Sequence, residues 1–423
     1  MNLELINTGS ELMLGRVLNT HQQWLCRQLA DLGYVVTRQV GVADTAADIE
    51  QAVREALGRA DFVITTGGLG PTSDDITRDR IAALLGRKLS EDPAIVAHVE
   101  GFFAQRKRPM PASTRVQAMV PEGALVLANA HGTAPGLALH VSPNPFRAGG
   151  KASWLVMLPG PPRELRPMFT NQVAPLLKAK LPLDGDFVCR TLRTVGIGES
   201  FLEERIAGPL KPLTDAGLEL GYCAHTGAVD VRFVARGCGA DADVAEAARI
   251  VYELAGEHIF GEGDDELEQV LLRKLTERKQ TLALAESCTG GFIANRLTNV
   301  PGASAAFLAG LVTYSNAAKE QFLGVRAETL AAHGAVSEAV AREMAEGARA
   351  RTGADFALAV TGIAGPDGGT PEKPVGTVFI ALASARGTKV INPVNRYDRE
   401  TFKYVTTTQA LELLRRALAV AAS

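Results

Sequence analysis

Thr281-Leu-Ala-Leu-Ala-Glu-Ser-Cys-Thr-Gly-Gly291 gives the clearest indication of the fold of the last third of the chain. Its first half, Thr281 to Ala285, is a short apolar run that predicts a buried strand, and the apolar-periodic residues Phe292 to Leu297 predict a helix. A strand, a tight turn with two glycines and a helix start are typical of an α/β domain. The stretch therefore predicts α/β architecture for residues 267–423.

Two further apolar runs in the same region end in loops that carry polar residues or glycine. Leu308 to Thr313 leads to Tyr314-Ser-Asn-Ala-Ala-Lys319, and Ala354 to Thr361 leads to Gly362-Ile-Ala-Gly-Pro-Asp-Gly-Gly369. In an open parallel sheet such loops gather at the carboxyl ends of the strands, so we expect all three loops to face one site. A long amphipathic helix from about Thr401 to Ala422 is expected to follow.

Residues 1–170 alternate strand-like and helical patterns in the same way, which is the rhythm of βαβ units and a parallel sheet. The patterns predict these strands and helices: Leu3–Thr8, Gln22–Leu32, Tyr34–Val40, Asp48–Leu57 and Phe62–Thr66. The proline- and glycine-rich segment from Val141 to Lys151 is predicted to be a hairpin tip.

Residues 171–266 change to the order strand, helix, strand, strand, helix, which predicts a small α+β unit similar to a KH module. Gly261-Glu-Gly-Asp-Asp-Glu266 is interpreted as a break before the last domain. The predicted fold class is therefore α/β, with two parallel or mixed-sheet α/β domains, 1–170 and 267–423, joined by a small α+β domain, 171–266.

The composition favours a soluble cytoplasmic protein. A chain of 423 residues exceeds the size of one core, so two or three domains are expected. The net charge of -3 gives no field that would attract a polyanion, so nucleic acid is not an expected partner. The five cysteines are scattered without a C-x-x-C pair, which favours reduced thiols and no zinc site. No run reaches the roughly 18 apolar residues of a membrane span, and no membrane partner is expected.

Ser287 is the leading candidate for a nucleophile in the last domain. Its position before a helix start places it beside backbone N–H groups, which can hold a phosphate or a developing oxyanion. Lys319 is the candidate base, provided that burial or a nearby positive charge lowers its pKa. Three alternatives stay open: Ser287 or Thr289 caps the helix, Lys319 is a solvated lysine, or Cys288 is the nucleophile. A Ser–His–Asp triad is disfavoured because His333, predicted in a loop, is the only histidine of this domain.

A second candidate site lies in Thr65-Thr-Gly-Gly-Leu-Gly-Pro-Thr-Ser-Asp-Asp-Ile-Thr77. Glycine N–H groups can cradle a diphosphate while Asp74 or Asp75 holds a divalent cation that bridges phosphate oxygens. Glu11 offers a third carboxylate at the same sheet edge. The alternative is that Asp74 and Asp75 cap the following helix.

Several ungapped motifs of the last domain resemble the CinA C-terminal domain: Glu286–Gly291, Val312-Thr-Tyr-Ser-Asn316 with Lys319, His333–Ser337, Gly362–Gly369 and Lys373–Thr377. That family includes nicotinamide-mononucleotide deamidases. The resemblance implies that Ser287 and Lys319 hydrolyse the amide with help from Tyr314, giving nicotinate mononucleotide and ammonia without a cofactor. This sequence departs from the family pattern near the start of the last helix. Tyr397-Asp398-Arg399 stands where the family usually has Gly-Asp-Arg, and Phe402-Lys403 stands where it usually has Val-Arg.

Residues 1–170 resemble the molybdopterin-binding-like domain of CinA. The resemblance implies metal-dependent cleavage of ADP-ribose to AMP and ribose 5-phosphate, with Mg²⁺ or a similar cation, and His21 stands where the family commonly has asparagine. The small middle unit lacks a basic G-x-x-G loop, which disfavours nucleic-acid binding and favours a spacer or dimerisation role, and a homodimer is expected.

The expected substrate-binding residues come from the loops quoted above and from the Asn129 loop: Thr289, Gly290, Gly291, Thr361, Gly362, Gly365, Asp367, Gly368, Gly369, Gly67, Gly68, Gly70, Thr72, Asn129, Gly132 and Thr133. The expected metal ligands are Asp74, Asp75 and Glu11. Two other hypotheses remain: nucleotidyl transfer to a pterin at the N-terminal site, and a non-catalytic adaptor in DNA uptake or damage response.

Overall fold

A computed structural model describes residues 1–420, and the chain divides into two compact units, Met1–Phe187 and Val188–Ser423. Within residues 1–420, no helix has the length and apolar character needed to cross a membrane.

Unit 1 contains eight strands and seven α-helices among its described residues. The strands are β1 Leu3–Thr8, β2 Val36–Val42, β3 Phe62–Thr66, β4 Leu89–Glu91, β5 Met119–Pro121, β6 Ala124–Leu127, β7 Gly136–Val141 and β8 Ser153–Leu158. The helices are α1 Ser10–Met13, α2 Thr20–Asp31, α3 Ala46–Leu57, α4 Thr77–Leu84, α5 Pro93–Gln105, α6 Pro162–Met168 and α7 Ala174–Lys180.

The main sheet of unit 1 has the order β2-β1-β3-β8-β7-β6. The first four strands pair parallel, whereas β7 pairs antiparallel with both of its neighbours, β8 and β6. Phe62 and Ile64 face one core cluster and Val63 faces another, so β3 is buried on both faces. The hairpin between β7 and β8 is confirmed. The strand predicted at Tyr34–Val40 begins two residues later, because Tyr34 N–H still bonds to the α2 carbonyl of Leu29 and its side chain is buried.

The middle part of the chain forms a four-stranded sheet with two helices. Its elements are β9 Phe187–Val195, α8 Glu199–Asp215, β10 Glu219–His225, β11 Ala228–Arg236, α9 Ala240–Ala255 and β12 Ile259–Glu262, with strand order β10-β11-β9-β12. The interpretation of Gly261–Glu266 wholly as a break was wrong, because β12 pairs with β9. Glu262 is stabilised there by accepting two hydrogen bonds from Arg190 of β9.

The C-terminal part contains a five-stranded sheet of order β14-β13-β15-β16-β17. Its elements are α10 Leu267–Glu277, β13 Leu282–Glu286, α11 Phe292–Thr298, β14 Phe307–Val312, α12 Asn316–Ala318, α13 Ala327–His333, α14 Glu338–Thr352, β15 Phe356–Gly362, β16 Val378–Ser384, β17 Gly387–Ile391 and α15 Arg399–Val420. β14, β13 and β15 run parallel, so their carboxyl ends meet at one edge.

The leucine–alanine alternation of β13 determines which helices cover the sheet. Leu282 and Leu284 belong to the core cluster that contains residues of α10 and α15, whereas Ala283 and Ala285 belong to the cluster that contains residues of α14. Alanine side chains are short and let a helix pack closely, while leucines fill a wider space.

Two helix predictions need correction. His333 ends α13 and does not lie in a loop. The last helix is buried on most sides between Val405 and Arg415, not amphipathic, because α10, α11 and the sheet all pack around it. Its predicted end at Ala422 lies outside the described residues.

Candidate functional site

Ser287 lies in the turn that directly follows β13. Its N–H donates to Val360 O of β15 at 3.0 Å, and its carbonyl accepts from Gly290 N at 3.0 Å. Gly290 and Gly291 have φ values of +62° and +90°, a region that favours glycine, which explains the glycine pair of the motif. The turn therefore holds Ser287, which is 8% exposed, at the carboxyl edge of the sheet.

Neither Ser287 nor Thr289 caps α11, because a third residue takes that role. The carboxylate of Glu286, which is fully buried, accepts hydrogen bonds from Gly291 N at 3.0 Å, Ile293 N at 3.1 Å and Ala294 N at 2.9 Å. The expectation that N–H groups at the helix start can hold a phosphate or a developing oxyanion is therefore wrong for these three groups. A buried carboxylate requires donors, and a helix N-terminus supplies them.

Two other N–H groups of the turn remain available. Within residues 1–420, Thr289 N donates no hydrogen bond, and Cys288 N donates to no group other than its own thiol. The Thr289 hydroxyl is buried and likewise has no partner in that range. These groups follow Ser287 directly, so they are the donors in this turn that can meet a developing oxyanion.

Lys319 is buried against Ser287 and is not a solvated lysine. It begins a π-helical turn, Lys319–Leu323, that follows α12, and its side chain is 1% exposed. Its Nζ lies 3.0 Å from Ser287 Oγ and donates to Thr313 O at 2.9 Å and Tyr314 O at 3.2 Å. The nucleophile and base candidates are thus within hydrogen-bond distance.

The pKa values of Lys319, the candidate base, and Cys288, the alternative nucleophile, are shifted in opposite directions. Burial lowers the pKa of Lys319 below its usual value, and the nearby Cys288 opposes this shift. Burial raises the pKa of the Cys288 thiol to about 12, and Glu286 adds to this increase. At neutral pH Cys288 is therefore a protonated thiol within the hydrophobic core, which argues against it as the nucleophile.

Arg399 joins two of the expected site elements, although the sequence indicated no role for it. Its guanidinium donates to Tyr314 OH at 2.8 Å and to Gly365 O at 2.8 Å. Tyr314 is exposed, so this contact fixes a side chain that otherwise extends into solvent. Arg399 therefore holds Tyr314 and the 362–369 loop together.

The loop residues expected to bind substrate differ in their surroundings. Thr361 is buried and donates to Ala335 O at 2.8 Å. Gly362, Gly365 and Gly369 pack so tightly on residues 375–378 that a Cβ would lie within 2.9 Å of them. Asp367 and Gly368 are exposed at the tip of the loop.

A cavity of about 450 Å³ is lined by Phe292, Arg399, Glu400, Lys403 and Tyr404. The Lys403 ammonium lies 3.9 Å from where a Cβ on Gly290 would be, so it faces the Ser287 turn. Two cations therefore flank this side of the turn.

Most of the N-terminal candidate residues line a cavity of about 620 Å³ within unit 1, although Thr72, Asn129 and Gly132 are not part of its lining. Its lining includes Gly67, Gly68, Gly70, Glu11, Asp74, Asp75 and Thr133, together with His21, Asp44, Gln117 and Glu164. Asp44, Gln117 and Glu164 were not expected as site residues. His21 was noted only as a departure from the family pattern. The sheet thus brings the glycine loop and three acidic candidates to one concave surface.

The capping alternative for Asp74 and Asp75 is wrong. α4 begins after Ile76 without a side-chain cap, and the Asp75 carboxylate instead accepts from the Thr72 hydroxyl and from Thr72 N. Thr72 thereby contacts Asp75 within its own loop, and its binding of substrate stays a prediction.

Asn129 and Gly132 contact Glu164. The Asn129 amide donates to Ala134 O at 2.7 Å and to Glu164 Oε2 at 2.8 Å, and a Cβ on Gly132 would lie 2.1 Å from that carboxylate. They hold the Thr133 loop in place.

Within residues 1–420, no three His, Cys, Asp or Glu residues are grouped closely enough to hold a metal ion. Mg²⁺ usually binds to one or two carboxylates and completes its shell with water and substrate phosphates. Asp74 and Asp75 on the cavity wall fit that mode of binding, and Glu11 does not complete a preformed set of three.

Three family models match the chain in order. They are the "Probable molybdopterin binding domain" over residues 4–179, the "Damage-inducible protein CinA KH domain" over 189–261 and the "CinA C-terminal domain" over 264–418.

Similar proteins are found along the whole sequence. A CinA-like protein of Gemmatimonas aurantiaca is 43% identical over 99% of this chain and 97% of its own, and a CinA-like protein of Akkermansia muciniphila is 43% identical over 97% and 96%. Among solved structures, the competence/damage inducible protein CihA from Agrobacterium tumefaciens has 46% sequence identity to this chain. The match covers 36% of this chain and 93% of the CihA chain, with a TM-score of 0.34. The full-length matches and the order of the three domain models show that the chain belongs to the CinA family.

Proposed function

We propose that the C-terminal site hydrolyses the carboxamide of nicotinamide mononucleotide, with Ser287 as nucleophile and Lys319 as base. The observation that carries this proposal is the 3.0 Å distance between Lys319 Nζ and Ser287 Oγ in a site where burial lowers the lysine pKa. A lysine acts as a base only in its neutral form, which burial favours.

The hydrogen bonds of Lys319 suit this neutral form. A neutral amine has two N–H groups and one lone pair. The two N–H groups match Thr313 O and Tyr314 O, and the lone pair is left to accept the Ser287 hydroxyl proton. With both N–H groups donating to these carbonyls, the lone pair of the neutral amine would face Ser287 Oγ.

In the proposed reaction Ser287 Oγ attacks the amide carbon while Lys319 takes the hydroxyl proton. The N–H groups of Cys288 and Thr289 would stabilise the oxyanion. Lys319 then returns the proton to the departing nitrogen, which leaves as ammonia, and an ester to Ser287 remains. Lys319 activates a water molecule that hydrolyses this ester, giving the carboxylate and free Ser287.

The surroundings of the turn support an anionic nucleotide as substrate. Arg399 and Lys403 line the cavity beside the turn and would attract the 5′-phosphate. Phe292 and Tyr404 give the same cavity aromatic walls.

Ammonia release from nicotinamide mononucleotide by the full-length chain tests this proposal. We expect Ser287→Ala to abolish release, Lys319→Ala to reduce it by about 10²–10⁴-fold, and Cys288→Ala to retain it. If Ser287→Ala stays active while Cys288→Ala is inactive, the assignment of the nucleophile is wrong.

We also propose that the N-terminal cavity cleaves the diphosphate of ADP-ribose to AMP and ribose 5-phosphate. The glycine loop with Asp74 and Asp75 on one cavity wall supports this second activity. When bound, a divalent cation held by these carboxylates would neutralise charge on the diphosphate. Gly67, Gly68 and Gly70 would bring their backbone close to the phosphates.

Two assays of the full-length chain, one with ADP-ribose and one with molybdopterin and ATP, distinguish this hydrolysis from nucleotidyl transfer to a pterin. Formation of AMP and ribose 5-phosphate supports the hydrolase, whereas an adenylylated pterin supports the transferase. A non-catalytic DNA adaptor predicts binding that weakens steeply with salt, and we expect no such binding.

A further inference from the structure

His21 is the basic side chain in the lining of the 620 Å³ cavity of unit 1. It lies in the first turn of α2 and is half-buried, so it is accessible from the cavity that it lines. Among the described residues, no lysine or arginine belongs to this lining. Its other ionisable side chains are the carboxylates of Glu11, Asp44, Asp74, Asp75 and Glu164.

The His21 ring lies close to the glycine loop of the cavity. The backbone of Gly160 is within hydrogen-bonding reach of the ring. Gly160 in turn packs against the loop, because a Cβ on Gly160 would lie 3.8 Å from Gly67 Cα. His21 is therefore separated by a single residue from the loop that is proposed to hold the diphosphate.

The carboxylates of the lining are less suited than His21 to take a proton. Two of them already accept hydrogen bonds, Asp44 from Ser10 N at 2.7 Å and Glu164 from the Asn129 amide at 2.8 Å. The other three are the expected metal ligands. A carboxylate that has a donor or a cation beside it is a weaker base than a free one, and its usual pKa near 4 is already low for proton transfer at neutral pH. The imidazole of His21 has the usual pKa nearest to neutrality in this lining.

The surroundings of the ring keep it neutral at pH 7. Burial lowers the pKa of His21 below its usual value of 6.5, and the Arg166 guanidinium of α6 adds to this shift. The hydrogen bond with Gly160 opposes it. The other charged groups at the cavity are the carboxylates named above. A neutral imidazole has one N–H group, which suits the Gly160 carbonyl, and one lone pair, which can accept a proton.

We propose that His21 is the general base of the N-terminal site and takes a proton from the water molecule that attacks the diphosphate. This inference rests on the proposed ADP-ribose hydrolysis and names the residue that this reaction uses as its base. The water oxygen forms a bond to one phosphorus while its proton moves to the ring. The bond from that phosphorus to the bridging oxygen breaks, and this oxygen leaves with the other phosphate. The ring then releases its proton to solvent.

The test measures ADP-ribose hydrolysis by the full-length chain as a function of pH with Mg²⁺ in excess. For the wild type, kcat/KM should fall as the pH decreases through the pKa of His21, because protonation removes the lone pair. His21→Asn keeps a polar side chain without a basic nitrogen, and we expect it to lower kcat by about 10²-fold and to remove this acidic limb. His140→Asn, at an exposed position of β7 outside the cavity lining, is the matched control and should keep both.

Two further measurements separate a base from a residue that only binds or folds. Calorimetry should give equal affinities of wild type and His21→Asn for AMP, since binding of the product needs no base. Free imidazole should restore part of the lost rate to His21→Ala, because it can replace the missing proton acceptor. Weaker AMP binding by His21→Asn, or no effect of imidazole, would overturn the inference.

The remaining outcomes distinguish the base from the reaction itself. An unchanged kcat and acidic limb in His21→Asn would overturn the inference alone. Recovery of the full rate of His21→Asn at higher Mg²⁺ concentration would also overturn it, because His21 would then be a metal ligand. If the wild-type chain forms no AMP from ADP-ribose at any pH, the proposed hydrolysis fails, and the inference fails with it.

Discussion

At the scale of single residues, the chemistry of the C-terminal site depends on a lysine whose environment is unfavourable for its charge. Lys319 is removed from water and has no carboxylate within salt-bridge distance among the described residues. Carbonyl and hydroxyl oxygens surround the amine, and they compensate a positive charge less well than water does. The same burial that disfavours the ammonium ion prepares the amine as a base.

This environment predicts the pH dependence of ammonia release. Protonation removes the base, so kcat/KM should fall as the pH decreases through the pKa of Lys319, which lies below its usual value of about 10.4. Cys288, with a pKa of about 12, should contribute no ionisation below that range. A pH–rate profile of Cys288→Ala that matches the wild-type profile would agree, and loss of the acidic limb in that variant would contradict the assignment to Lys319.

Glu286 is expected to be necessary for the geometry of the turn. In Glu286→Gln an NH₂ group must face at least one of the three N–H donors, so the turn shifts and the Cys288 and Thr289 N–H groups lose their positions. We expect kcat to fall by about 10²-fold, the effect of losing one oxyanion donor, with a smaller change in KM. Glu320→Gln, an exposed carboxylate next to Lys319, is the matched control and should retain wild-type kcat.

At the scale of secondary-structure elements, the position of Lys319 depends on how closely α14 packs against the π-helical turn. Gly347 of α14 faces Leu323 of that turn, and a Cβ at Gly347 would lie 1.8 Å from Leu323 O. No alanine fits this contact without movement of the backbone. The glycine therefore sets the distance between the helix and the turn that carries Lys319.

We expect Gly347→Ala to displace this turn and to reduce ammonia release. The melting temperature should decrease as well, since the new Cβ is held rigidly by the α14 backbone and would clash with the backbone carbonyl of Leu323. Gly101→Ala, in the interior of α5, should instead raise stability by about 0.5–1 kcal/mol and leave ammonia release unchanged, because beyond its chain neighbours and its own helix no atom lies within 4 Å of the new Cβ. Full activity of Gly347→Ala would argue against a role for this packing.

At the scale of the whole molecule, the two candidate sites are each built within one unit, the first within Met1–Phe187 and the second within Val188–Ser423. Neither set of lining residues includes a side chain of the other unit. The two proposed activities should consequently be separable in the intact chain.

We expect Ser287→Ala to lose ammonia release and to keep ADP-ribose cleavage, and Asp75→Asn to show the reverse. A chelator of divalent cations should stop ADP-ribose cleavage only, because the proposed Ser–Lys mechanism uses no metal. Assays of both products from one preparation measure this directly. Simultaneous loss of both activities in either variant would contradict independent sites.

The amino-acid sequence was sufficient to predict the α/β class, most strand positions and the grouping of three loops at one sheet edge, since apolar periodicity and glycine turns are local properties. It predicted Lys319 and Ser287 as partners but left open whether the lysine is solvated. The three-dimensional contacts answer that question, and they also show the hydrogen bonds of Glu286 and Arg399. Burial, pKa and the hydrogen-bond partner of a polar side chain depend on residues distant in sequence, such as Val360 against Ser287, and a local pattern carries no record of those contacts.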